Sequence, residues 1–144
     1  MAGEKGSTYA NQLLALIFNG TTITGLAMNT TTSPLTVLYV ALHTADPTAS
    51  GNQTSSEVAY TSYARVSVAR TSGGWTVTTN SVSPVATISF PAATGGTATA
   101  TYWSVGTAST GTGEILYAGP ISPSISISSG VTPQLTTAST ITES

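Results

Sequence analysis

The hydrophobic pattern divides the chain into one helical segment followed by a long series of strand-like segments. In "STYANQLLALIFNG", four apolar residues recur at helical spacing: Leu13, Leu14, Ile17 and Phe18. Ser7 or Thr8 is suited to cap the start of this helix, and Gly20 is suited to end it. The pattern therefore predicts one short amphipathic helix near the N-terminus.

From Leu35 onward the hydrophobic period falls to two, or to short apolar runs. "LTVLYVAL" is continuously apolar, as in a strand covered on both faces, whereas "SYARVSVAR" alternates. Further strands are predicted in "WTVTT", "ATISF", "TATATYWSV", "EILYAG", "ISISI" and around Leu135. Glycine and proline turns separate them at intervals of about eight to twelve residues. We predict a mainly β fold with a short N-terminal helix. The strands are expected to form an antiparallel two-sheet β-sandwich, for which a jelly roll is one candidate arrangement.

The same pattern predicts how the chain is organised. Residues 1–34 form an N-terminal arm with the helix and a loop, and residues 35–144 form the β-sandwich domain. The loop, residues 19–34, combines turn formers with few apolar anchors, which is compatible with ordering on assembly. A chain of 144 residues fits a single globular unit overall.

Composition limits the classes of partner. Only 6% of the residues are charged, and 29 threonines and 20 serines supply the polar surface instead. With three basic residues and a net charge of −2, the chain has no electrostatic driving force for nucleic acid or an anionic membrane. It has no cysteine, which excludes disulfides and thiolate zinc sites. The apolar run Leu13 to Phe18 is too short to span a bilayer, and "MAGEKG" does not resemble a signal peptide, so we expect synthesis in a cytoplasm.

The opening of "HTADPTASG" is the one place where sequence alone suggests catalysis. His43, Asp46 and one of many serines could imitate a hydrolase triad, which requires His43 within hydrogen-bond reach of a serine hydroxyl. The simpler interpretation is a turn, because Asp bonds its own downstream backbone and Pro47 stops the strand. We predict no catalytic residue and no enzyme activity, and we expect no imidazole positioned on a serine oxygen inside the fold.

The remaining candidate sites have equally plain interpretations. The five acidic residues and one histidine show no metal-binding spacing, so neither a metal nor another cofactor is predicted. The paired glycines at 73–74, 95–96 and 111–113 lack a phosphate-loop ending and are predicted to be hairpin turns.

Aromatic and arginine residues leave two interpretations open. Trp75, Tyr102, Trp103 and Tyr117 could form a stacking platform for a sugar, although large aromatics usually fill a sandwich core. Because Tyr102 and Trp103 are adjacent on one strand, they point to opposite faces, so one of them is expected to face solvent or a partner. Arg65 and Arg70 either pair with Glu57 or Glu114 inside the fold or act as interface anchors.

Five segments resemble a known group of proteins in their order and spacing: "YANQLLALIFNG", "LYVALHTADPT", "SYARVSV", "ISFPAAT" and "WSVGTASTGTGEILYAGPI". They are similar to small virion proteins of tailed phages that are labelled head decoration, cement or tail-fibre proteins. The most specific part is Ala41 to Pro47 followed by Ser62 to Arg65. The resemblance covers nearly the whole chain and implies a virion structural protein.

Resemblance and composition together predict a capsid decoration (cement) protein that binds the major capsid protein on the outer head surface. We expect a homo-oligomer, a trimer before a dimer, because weak uncharged contacts gain strength by repetition over a lattice. The alternative is a tail-fibre or adhesion module that binds host glycans. The contact elements are predicted to be residues 1–12, the 19–34 loop and the exposed aromatic of the 102–103 pair. The candidate contact residues are Tyr9, Asn11, Gln12, Ile23, Leu26, Met28, Arg65 and Trp103.

Overall fold

A computed structural model describes residues 5–29 and 33–143. It contains one helix, α1 (Ser7–Asn19), and nine strands in the described part of the chain. In chain order the strands are β1 (Val37–His43), β2 (Val66–Ala69), β3 (Trp75–Thr78), β4 (Ser81–Pro84), β5 (Ile88–Ser89), β6 (Ala98–Gly106), β7 (Ile115–Ile127), β8 (Gln134–Leu135) and β9 (Ile141–Thr142). The chain divides into two compact units.

The first unit packs helix α1 against a small antiparallel sheet. It comprises the described residues within Met1–Val37, Ala69–Thr87 and Thr136–Ser144, and its sheet has the order β3-β4-β9. One face of α1 buries Leu14 and Phe18, and the Phe18 ring meets the buried Trp75 ring edge-on at 4.9 Å. Burial of this apolar face stabilises a helix of 13 residues that would be marginal alone.

The helix ends as predicted but begins one or two residues earlier. Gly20 adopts the left-handed conformation with φ of 66°, and its N–H donates to the Leu16 carbonyl. A residue without Cβ occupies that conformation at little cost, which is why the helix stops there. The N-cap is Gly6 and makes no side-chain capping bond, so the predicted Ser7 or Thr8 cap is wrong; Ser7 is the first helical residue.

The second unit is built on a four-stranded sheet of order β2-β1-β6-β7, with β5 and β8 forming a separate antiparallel pair. Its residues are Leu38–Val68 and Ile88–Leu135. Strand β1 is buried along most of its length, as its continuous apolar run predicted. It pairs with β6 in antiparallel register, which places Ala41 opposite Ser104 and His43 opposite Tyr102.

The mainly β, antiparallel fold with one short N-terminal helix is confirmed. The strands form three sheets, whereas the sequence predicted two. Residues 69–87 and 136–143 group with the described part of the N-terminal segment in the first unit. Within the described residues, no helix has both the length and the apolar character needed to cross a membrane.

Candidate functional site

The only histidine of the chain lies at the end of β1, in the interior of the second unit. His43 and Ser104 are both fully buried, and 2.8 Å separates His43 Nε2 from Ser104 Oγ. On the other side of the ring, Nδ1 lies 2.8 Å from the main-chain oxygen of Ser55. A carbonyl oxygen only accepts, so Nδ1 carries the proton and the Ser104 hydroxyl donates to Nε2.

Burial is the main influence on the charge of this imidazole. Burial lowers the pKa of His43 from its ordinary value. The Ser55 carbonyl and the Glu57 carboxylate raise this pKa, but by less than burial lowers it, and the Arg65 charge lowers it further. The neutral ring is therefore the favoured form, consistent with one donor and one acceptor nitrogen.

This pair is the imidazole on a serine oxygen that we did not expect from the sequence. Its geometry is that of a nucleophile and its base. The 2.8 Å separation places His43 within hydrogen-bond reach of a serine hydroxyl, as a hydrolase triad requires. However, neither side chain has any exposed surface, and the group that orients the ring is a main-chain carbonyl in place of a carboxylate. A substrate carbonyl cannot approach Ser104 Oγ in this conformation, so the pair acts here as an internal hydrogen bond between two strands.

Asp46, the third member of that hypothetical triad, takes no part in the pair. Its carboxylate accepts a hydrogen bond from the Thr48 N–H at 2.8 Å, and the residue is exposed. The predicted turn at Asp46-Pro47 is therefore confirmed.

Arg65 forms an ion pair inside the second unit. Its Nε lies 2.7 Å from Glu57 Oε1 and its Nη2 lies 2.8 Å from Glu57 Oε2, while the Tyr63 hydroxyl donates to Glu57 Oε1 at 2.9 Å. The carboxylate hydrogen bond is the leading reason that the pKa of Arg65 is raised. The Arg65 side chain is 2% exposed. Of the two interpretations left open, the internal pair with Glu57 is the one observed, and Arg65 is not a surface anchor in the isolated chain.

The same guanidinium fixes a loop beside the ion pair. It donates to the carbonyl oxygens of Ala108 at 3.0 Å and Gly111 at 2.8 Å. From the other side, the buried Gln53 accepts a hydrogen bond from the Ala108 N–H at 3.0 Å. A cleft of 210 Å³ lies between this loop and the Glu57–Arg65 pair.

Arg70 organises a second region, in the first unit. Its guanidinium donates to the carbonyl oxygens of Leu16, Ile17 and Leu35, and to Asn29 Oδ1. A cation at the last carbonyls of a helix is favourably placed. Since one guanidinium binds all four groups, the C-terminal end of α1, Asn29 and Leu35 lie close together. Burial lowers the pKa of Arg70 from its ordinary value.

Apolar side chains project into solvent beside this anchor. Leu26 is 75% exposed, Met28 64% and Leu35 45%. Leu26 lies within a tight turn closed by the Ala27 N–H donating to the Ile23 carbonyl, with Gly25 at φ of 78°, and Met28 follows that turn. We call the three exposed side chains Leu26, Met28 and Leu35 the Arg70 loop surface. Residues 30–32 of the predicted 19–34 loop lie outside the described residues, as do residues 1–4 of the predicted contact segment.

The predicted contact residues divide by exposure. Tyr9, Gln12, Leu26 and Met28 are exposed, and Asn11 is half-buried. Ile23 and Trp103 are buried, so the expectation of an exposed Trp103 is wrong. It lies opposite Gly119 in the four-stranded sheet and fills the core, while its neighbour Tyr102 is half-exposed. Trp75 is also fully buried, so the two tryptophans do not form the sugar platform considered from sequence.

Two comparisons with known proteins bear on function. A family model described as Podophage GP4 fiber I protein gp80 matches residues 5–142, nearly the full chain. No curated protein matches the sequence.

Proposed function

We propose a specific role in the virion from one premise: the chain belongs to the family described as Podophage GP4 fiber I protein gp80. It is a phage structural protein of the fibre-type family. Within that class, the proposed role is a non-enzymatic decoration protein that binds the major capsid protein on the outer head surface and stabilises the shell, as a homo-oligomer with a trimer preferred.

The observation that carries this proposal is the Arg70 loop surface. Three large apolar side chains are exposed near two groups that the Arg70 guanidinium binds, Asn29 Oδ1 and the Leu35 carbonyl. Exposed apolar groups of this kind mark interaction sites in soluble proteins. Because hydrogen bonds already hold the Ile23–Ala27 turn and the Leu35 carbonyl, less conformational entropy is lost when a partner binds. Apolar contacts are also not screened by salt as contacts between charges are, which suits a chain with few charges.

The non-enzymatic part of the proposal is supported by the burial of the serine that is hydrogen-bonded to His43. The Ser104 hydroxyl donates to His43 and has no exposed surface. Covalent catalysis requires the nucleophile to contact the reacting atom of a substrate.

The proposal is tested by adding purified protein to phage heads that lack decoration. The bound copy number and the temperature of genome release are measured for wild type, for Leu26→Ser combined with Met28→Ser, and for Val85→Ser. Val85 is a matched control, because it is an exposed apolar residue outside the Arg70 loop surface. We expect the double variant to bind roughly 100-fold more weakly, since two buried apolar side chains are lost, and Val85→Ser to behave as wild type.

A second candidate location is the tail, and the word "fiber" in the family description favours it. Counting copies per virion separates the two locations. A copy number that scales with the number of shell subunits supports the head, whereas a number matching the fibres of one tail contradicts decoration. Absence of wild-type binding to undecorated heads would also contradict it.

A further inference from the structure

The cleft in the second unit is lined by two charged side chains, Glu57 and Arg65, that neutralise each other. Seven residues line it: Glu57, Tyr63, Ala64, Arg65, Ser109, Thr110 and Gly111. The Glu57 carboxylate accepts from Arg65 and Tyr63, and the Arg65 guanidinium also donates to two main-chain carbonyls. With the Arg65 side chain 2% exposed, the cation is not available to an incoming anion. The cleft therefore favours a neutral ligand.

The hydrogen-bonding groups left at the cleft are hydroxyls. Ser109 and Thr110 are exposed, and neither side-chain hydroxyl has an intramolecular partner among the described residues. Each can both donate and accept. The Tyr63 ring adds an apolar side, and its orientation is fixed because it stacks on Phe90 with an interplanar angle of 14°. A ligand that matches this lining carries several hydroxyls and one apolar face.

The wall that bears the two hydroxyls is held in place before any ligand arrives. Arg65 binds the carbonyls of Ala108 and Gly111, and Gln53 binds the Ala108 N–H. Gly111 adopts φ of 72°, a conformation that suits glycine. A binding wall fixed by buried side chains loses little entropy on binding, which is how functional sites are usually built.

The geometry points to a second activity, independent of shell attachment: this cleft binds one ring of a neutral carbohydrate. At 210 Å³ it is smaller than the roughly 300–1,000 Å³ of sites for drug-sized ligands, so it accommodates a single ring and leaves the rest of a glycan in solvent. The ring hydroxyls bond to Ser109 and Thr110, and its apolar face lies against Tyr63.

The test follows amide chemical shifts of labelled protein during titration with D-glucose, D-galactose and N-acetyl-D-glucosamine. Inorganic phosphate and N-acetylneuraminic acid serve as charged comparators. The test variant combines Ser109→Ala with Thr110→Val, and the control variant combines Ser128→Ala with Thr137→Val. Both variants remove one serine and one threonine hydroxyl from exposed positions, so their unbound spectra show whether each remains folded.

We expect at least one neutral sugar to shift the amides of residues 64 and 109–111. The test variant should bind that sugar about tenfold more weakly, and the control variant should bind it as wild type does. Three outcomes overturn the inference: no shift with any neutral sugar, shifts caused only by the charged comparators, or equal binding by the test and control variants. None of them affects the attachment of wild-type protein to heads.

Discussion

Acidification from pH 7 to pH 5 should destabilise this protein through one side chain. His43 is the only histidine, is fully buried, and has a lowered pKa because burial disfavours its charged form. In the unfolded chain its pKa returns to about 6.5. As the pH falls through that value, the unfolded state therefore takes up more proton than the folded state, whose pKa for His43 is lower.

The sign and size of the effect follow from proton linkage. Since the folded-state pKa is the lower one, the stabilisation is complete above about pH 6.5 and is lost progressively below it. Each pH unit below that value lowers the free energy of unfolding by up to about 1.4 kcal/mol. The loss ends where the pH reaches the lowered folded-state pKa, and 1 kcal/mol lost corresponds to roughly 4 °C in Tm for a chain of this size.

Urea denaturation at both pH values measures this loss in wild type and in His43→Gln. The glutamine amide does not titrate, whereas every other ionisable group is present in both proteins, so the difference between their pH responses isolates His43. We expect His43→Gln to be less stable at pH 7 and to lose less stability on acidification. An identical pH response in the two proteins would refute the reasoning, because it would show that the imidazole is not held neutral by burial.

Three further changes test other parts of the structure. Arg65→Met leaves Glu57 without its cation and should lower the free energy of unfolding by about 3 kcal/mol, measured by urea denaturation; a loss below about 1 kcal/mol would mean that the pair behaves as an exposed one. Ser104→Ala removes the donor to His43 and should cost about 1–3 kcal/mol in thermal melting, while an unchanged Tm would contradict a structural role. Arg70→Met should speed amide exchange at the C-terminal end of α1, and equal exchange rates would show that the guanidinium does not hold the helix end.

Local sequence signals predicted the local structure well. Gly20 marks the end of α1 because a left-handed C-cap favours glycine. Asp46-Pro47 marks a turn because the carboxylate bonds a backbone N–H two residues later. The continuous apolar run of β1 indicated a strand buried along most of its length. Each of these features depends on residues only a few positions apart.

Features that depend on long-range pairing could not be predicted from the pattern. The His43–Ser104 bond joins residues 61 positions apart, and it exists because β1 and β6 pair in one particular register. Either member of the 102–103 pair could have faced the core, and that register directs Trp103 inward. The "RVSVAR" segment offered two arginines with several possible partners, and only the fold shows that Arg65 binds Glu57 whereas Arg70 binds main-chain carbonyls.

Reactive and apolar side chains are distributed in opposite ways between the interior and the surface. His43 and Ser104, whose chemistry resembles that of a hydrolase, have no surface, and the Arg65 side chain is 2% exposed. Leu26 and Met28, which have no reactivity, project into solvent from a backbone that hydrogen bonds hold in place. Folding alone would favour burial of Leu26 and Met28, because burying large apolar side chains stabilises a chain. If the proposed partner covers these two side chains, Leu26→Ser combined with Met28→Ser should weaken attachment while leaving the free energy of unfolding nearly unchanged, since both are exposed in the chain itself.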